Sequence, residues 1–196
     1  MRRNNPFDPG YYTQAQLKGF GFKSLGKNVL IARNCTMVDL GSISIGSNVR
    51  IDSYVTIISG GVGVTIGDFV HIAVGCYLVG GHGITLADFS GLSQGVKVYS
   101  QSADYSGGMF TNPTVPKEYV RLKTGHVILG KHVTVGSGSI ILPGCALAEG
   151  TAVGALTVIR RSTDAWKIYL GNPAKAIMDR VVIDPDGTIE QIFFTV

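Results

Sequence analysis

Charge is scarce in this chain: Asp, Glu, Lys and Arg make up 15% of it, against about 25% in an ordinary globular domain. The 17 Lys and Arg against 13 Asp and Glu leave a formal charge of +4, but the basic residues are scattered, with no Lys/Arg run and no aromatic platform beside them. That distribution argues against nucleic-acid binding. No segment reaches the ~18 continuous apolar residues of a membrane helix. Met1-Arg2-Arg3-Asn4-Asn5-Pro6 leads into no apolar signal region. With only three cysteines, read below as unpaired, the expected compartment is the cytoplasm.

What the chain has is glycine, 27 of 196 residues, and a six-residue rhythm. An aliphatic residue is followed by Gly, Ala or Asp, two variable residues, a small residue and a free position. Leu25-Gly26-Lys27-Asn28-Val29, Ile45-Gly46-Ser47-Asn48-Val49, Ile51-Asp52-Ser53-Tyr54-Val55, Ile66-Gly67-Asp68-Phe69-Val70, Leu129-Gly130-Lys131-His132-Val133 and Val153-Gly154-Ala155-Leu156-Thr157 carry it. A repeat this short buries its apolar positions only by stacking on copies of itself, which specifies a β-helical solenoid. Leu25, Ile45, Ile66 and Leu86 open successive coils 20, 21 and 20 residues apart, and Leu129 to Leu147 is 18, three hexads or one triangular turn. The surplus residues fall at one corner, in Leu40-Gly41, Gly60-Gly61-Val62-Gly63 and Gly80-Gly81-His82-Gly83. After Val98 that corner expands into an excursion, 99–128, long enough to imply a function.

The first and fifth hexad positions point inward, so Cys35, Cys76 and Cys145 read as small core residues. Cys35 and Cys76 share a face two coils apart, about 9 to 10 Å, too far for a disulfide. One domain, 1–196, is expected: a cap, 1–24, a β-helix, 25–161, and a C-terminal helical segment with a hairpin, 162–196. In the cap, Thr13 and Gln16 form a capping box for a short helix. Beyond Ile159, short helices are predicted over Ser162 to Tyr169 and Ala174 to Arg180 around the turn Gly171-Asn172-Pro173. A β-hairpin follows, with Val181-Val182-Ile183, a turn at Pro185-Asp186-Gly187, and a second strand from Thr188 to Val196.

These hexads resemble the hexapeptide-repeat acyltransferases of the left-handed β-helix superfamily, as do the excursion motifs Asp104-Tyr105-Ser106-Gly107 and Thr111-Asn112-Pro113, the Pro143-Gly144 step and Tyr169-Leu170-Gly171-Asn172-Pro173-Ala174-Lys175. Within it the chain is most similar to N-acyltransferases of nucleotide-linked amino-deoxysugars of the viosamine and anthrose pathways. The resemblance implies a homotrimer with acyl-CoA, acetyl or another short acyl, in grooves between subunits, no metal, and a role in surface-polysaccharide synthesis. It places Ser137 and Ala155, 18 residues apart and so stacked on successive coils, along pantetheine, with Arg160, Arg161, Asn172 and Lys175 at the CoA end, the cations on phosphates. Asp104, Tyr105, His82, Tyr99 and Asn112 become acceptor-site candidates, Tyr99 and Asn112 also as loop anchors, and His71 the catalytic candidate. The base histidine that sugar O-acetyltransferases carry early in the excursion is absent from Tyr99-Ser100-Gln101-Ser102-Ala103-Asp104. A hydroxyl benefits from a base, whereas an amine with a pKa near ~8 is already partly neutral at pH 7, so an amine acceptor is favoured over O-acetylation with a histidine base. A zinc site like that of the carbonic anhydrases on this solenoid would need three convergent ligands, and His126 and His132, six residues apart, diverge.

Overall fold

The structure, a computed structural model, describes residues 5–194. The expectations for Met1 to Asn4 and for the last two residues of the tail lie outside these. Three parallel sheets form the walls of a prism. The first face stacks Ser24–Leu25, Ile43–Ile45, Val64–Ile66, Ile84–Leu86, Val127–Leu129 and Ala146–Leu147. The second begins at Leu30–Ile31 and rises through Arg50–Ile51, His71–Ile72, Gly91–Leu92, Thr134–Val135 and Ala152–Val153. The third runs from Thr36–Val38 through Thr56–Ile58, Tyr77–Val79, Lys97–Tyr99 and Ile140–Ile141 to Val158–Ile159. Leu25, Ile45, Ile66, Leu86, Leu129 and Leu147 are in register, one above another, as the hexads predict.

Each hexad contributes its first and fifth side chains to one continuous core, with Ile51, Val55, Ile72, Leu78 and Val98 fully buried. The second position is small because the next coil leaves no room: a Cβ on Gly136 would lie 2.7 Å from the Gly154 carbonyl carbon. The cysteines are free core residues whose thiols donate to carbonyls, Cys35 to Asp52 and Cys76 to Ser93, both at 3.1 Å. Burial pushes the Cys76 thiol up to about 11, so it is not a thiolate at neutral pH.

The fourth hexad position turns the corner in the left-handed region. Between the first and second faces it holds Asn28, Asn48, Phe69, Phe89 and His132, all with φ between 55° and 58°. Positive φ is costly for such side chains, and stacking offsets the cost: Phe69 lies on Phe89 at 5.0 Å and Phe89 on His132 at 5.3 Å, nearly parallel. Helix α1 (Gln14–Lys18) closes the lower end with the expected Thr13–Gln16 capping box and buries Leu17 in the core.

The C-terminal region contains a helix and an antiparallel hairpin, but in the opposite order to the expectation. Residues predicted as the first helix become strand Lys167–Leu170, which adds a coil to the second face with Ile168 in register with Ala152. The second predicted helix is strand Lys175–Asp179, paired antiparallel with it. The exposed sheet edge offers a ladder of backbone partners that outweighs local helical preference. The predicted tail hairpin is instead helix α2 (Thr188–Phe194). Asp184 Oδ1 and Oδ2 accept from the Ile189 and Glu190 N–H groups at 3.0 and 2.7 Å, capping its N-terminus. Phe193 and Phe194 pack on Phe69, 5.5 and 5.6 Å away, and Glu190 bonds Lys131 and His132.

Candidate active site

The third face carries the ligand-sized space. Its outward residues and the excursion enclose a groove of about 960 Å³ lined by Tyr77, Lys97, Tyr99, Gln101, Tyr105 and Leu142, among others. The excursion is held over it by an antiparallel ladder pairing Gln101–Ala103 with Leu122–Thr124. At its upper end Leu142 N–H donates to Ile159 O, and Ile159 borders a second cavity of about 480 Å³ that contains Arg160, Arg161, Tyr169 and Lys175. Two neighbouring cavities, the upper one holding three cations, suit a ligand with an apolar arm and a phosphorylated head.

Of the residues singled out above, Arg160, Arg161 and Lys175 therefore converge, and Tyr99 and Tyr105 share the groove. Burial, then the Tyr77 and Tyr105 phenols, hold the Tyr99 phenol above its usual range. Asn172 precedes Pro173, which borders the upper cavity, but does not itself border it. Ser137 and Ala155 are stacked as expected, with Leu156 N–H donating to Ser137 O at 2.9 Å. They form the corner beside the third face, where Ser137 Oγ donates to Gln94 Oε1 at 2.9 Å.

Asp104 is turned into the excursion. Its Oδ1 accepts from Ser106 N–H at 3.0 Å, Ser106 Oγ at 2.8 Å and Lys123 Nζ at 3.1 Å. Those bonds, the Ser106 backbone first, lower its pKa to about 2. Asn112 closes an Asx turn, accepting from Thr114 N–H and Oγ1. His82 faces Gln101 Oε1 through Nδ1 at 3.0 Å and so reaches the groove only through that amide. Tyr105, 80% exposed, is free to meet a ligand.

His71 ends its hexad, and the structure places that sixth position on the flat wall of the second face, on the strand His71–Ile72, outside both cavities. It is in register with Arg50 and Gly91, and through Gly91 with Thr134, the residues that follow the fifth position of their own hexads. There it forms a cluster around Asp52: His71 Nε2 lies 2.8 Å from Oδ2, Arg50 Nε donates to Oδ1 at 2.7 Å and Tyr11 OH at 3.0 Å. Burial opposes ionisation of Asp52, but these three partners outweigh it and hold its pKa below the ordinary range. A carboxylate on Nε2 fixes the proton there and leaves Nδ1 as the free ring nitrogen. Next to it on the ladder is Gly91, which leaves the space above the ring open.

Lys97 and Gln94 escaped the sequence reading because a lone Lys or Gln on a repeat carries no motif. The remaining histidines are structural: His126 Nε2 bonds Thr85 Oγ1 at 2.9 Å, and His132 belongs to the corner stack. Among the described residues no three His, Cys, Asp or Glu side chains converge as a metal site would require, and no helix is long and apolar enough to cross a membrane.

No protein-family model matches the chain. It is 42% identical over 170 residues to a dTDP-4-amino-4,6-dideoxy-D-glucose acyltransferase of Escherichia coli, covering 87% of this chain and 88% of that protein. Its structure superposes on AntD, an N-acyltransferase from Bacillus cereus in complex with dTDP and 3-hydroxybutyryl-CoA, with a TM-score of 0.88 and 42% identity, covering 95% of this chain and 97% of that one. A substituted form of AntD bound to dTDP-4-amino-4,6-dideoxyglucose and coenzyme A gives a TM-score of 0.89 at 40% identity, over 96% and 98% of the two chains.

Proposed function

The chain belongs to the hexapeptide-repeat β-helix acyltransferases, and from that premise we propose that it transfers a short acyl group from CoA to the 4-amino group of dTDP-4-amino-4,6-dideoxyglucose. The observation that carries this reading is the pair of neighbouring cavities, a cationic one and an aromatic, excursion-covered groove, which offer one place for a CoA head and another for a nucleotide sugar. It is supported by likeness over nearly the whole chain to enzymes described by that substrate and by CoA thioesters.

Arg160, Arg161 and Lys175 bind the CoA phosphates, and pantetheine runs past the small residues Ser137 and Ala155 toward the excursion. The neutral amine attacks the thioester carbonyl carbon. The tetrahedral intermediate collapses with cleavage of the C–S bond, and the proton lost by nitrogen leaves on the CoA thiol. Oriented by Asp52, His71 offers the free Nδ1 as acceptor for the proton that nitrogen loses on attack and passes it to the departing thiolate. In one chain His71 faces away from the cleft, so it serves the reaction where a neighbouring copy brings its own cleft against the second face. A homotrimer in the cytoplasm, with sites between subunits, meets that requirement.

The purified protein, given acetyl-CoA or 3-hydroxybutyryl-CoA and matched dTDP-linked 4-amino and 4-hydroxy sugars, should yield only the N-acyl product by mass spectrometry. Turnover should rise with pH until the amine is deprotonated. His71→Asn should retain turnover while losing about two orders of magnitude. An O-acyl product alone, abolished by His71→Asn, would replace this reading with histidine-base O-acetylation.

A further inference from the structure

Lys97 is the charged side chain among the residues lining the groove. It sits at the centre of the third face, in register with Tyr77 on the coil below and Ile140 on the coil above. Among the described residues the only hydrogen bond of its ammonium is a weak one, Nζ to Gly95 O at 3.4 Å. No carboxylate of the described residues forms an ion pair with it. The cations of the excursion ladder are compensated: Lys123 lies 3.1 Å and Arg121 4.0 Å from Asp104. An ammonium half-buried in a cleft without a counter-charge costs free energy that a bound anion would recover.

The surroundings specify the anion. Tyr77 and Tyr99 stand beside Lys97 with ring centroids 6.1 Å apart, and Tyr105 lines the same groove from the excursion. Tyrosine faces suit a planar base or sugar ring, while Gln101 and Ser102 add neutral donors and acceptors. The CoA phosphates have their own cations. Lys97 is two strands below Val158 through Ile140, about 10 Å at normal strand spacing, and Arg160 is two residues further on. We propose that Lys97 binds the diphosphate of the nucleotide-linked acceptor and thereby sets the selectivity of the groove for a nucleoside diphosphate. This rests on the acceptor reading given above.

Thymidine diphosphate and coenzyme A, titrated separately by calorimetry into the intact protein, Lys97→Met and Lys97→Arg, test it. Lys97→Met should weaken thymidine diphosphate about ten-fold or more, the loss of one charge-assisted contact, reduce the salt dependence of its binding, and leave coenzyme A within two-fold. Lys97→Arg should restore most of the affinity. Unchanged thymidine diphosphate binding in Lys97→Met overturns the proposal, as does a loss confined to coenzyme A, which would assign Lys97 to the donor diphosphate, or no thymidine diphosphate binding by the parent. A parent that binds thymidine diphosphate through Lys97 yet fails to acylate the amino sugar would refute the proposed reaction and leave this assignment standing.

Discussion

At Asp104 one carboxylate oxygen accepts from a backbone N–H, a hydroxyl and an ammonium, so ionisation of this residue and order in the excursion are one equilibrium. Its pKa near 2 lies below the ~3.9 of an unfolded Asp. The stabilisation is therefore fully present above about pH 4 and lost as the pH falls through about 2. Pepsin should cut the excursion of Asp104→Asn faster than that of the parent at pH 4, and the two rates should converge near pH 2. A difference that persists unchanged at pH 2 would show that the carboxylate does not hold the loop. In the upper cavity, Arg161→Ala and Lys175→Ala should each raise the Kd for acyl-CoA about ten-fold by loss of a phosphate contact. Binding equal to the parent in both variants would move the CoA head elsewhere. Arg161 and Lys175 were reached through the family resemblance, which places cations after the last hexad and after the Gly171-Asn172-Pro173 turn, and the structure brings both to one cavity. Lys97 was not legible in the sequence, since its meaning arises only where three coils and the excursion meet, and the partners of Asp104 are likewise set by tertiary contacts.

Among the elements, those specified by a periodic pattern match their predicted places, and those left to local preference do not. The hexads fix coil, face and inward side chain because only stacking satisfies them. Beyond Ile159 the pattern stops. Ala174 to Arg180 has helical preference, but its neighbour Lys167–Leu170 presents an open ladder, and pairing there takes precedence. Asp184 and Pro185-Asp186-Gly187 carry a helix-start signal as well as a turn signal, and the apolar Phe193 and Phe194 find the aromatic corner rather than a hairpin partner. At the other end, α1 is too short to be stable alone and depends on its cap and one anchor. Thr13→Ala should cost about 1 kcal/mol and Leu17→Ala roughly 2 to 5 kcal/mol, both read by chemical denaturation. Equal, small losses would mean that α1 is not packed on the core.

For the whole molecule the apolar surface is the guide to assembly. Leu156 turns the second-to-third corner with φ of 56° and leaves 77% of its surface exposed, close against Gly138. Tyr54, at the same corner, is 69% exposed, and Leu170 on the adjoining strand is 46% exposed. Large apolar side chains gathered along one edge of a low-charge prism call for cover, and the edge lies between the third-face cleft and the face of His71. Closed cyclic packing of three copies would cover it three times and bring each cleft to a neighbour's His71. Light scattering at micromolar concentration should therefore give three times the chain mass. Leu156→Glu puts a charge into that contact while leaving the core of the chain untouched. It should yield a folded monomer by circular dichroism and light scattering with acyl transfer reduced at least a hundred-fold. A parent that is monomeric, or a Leu156→Glu protein that remains trimeric and active, would remove the shared site and require both halves of the chemistry to come from one chain.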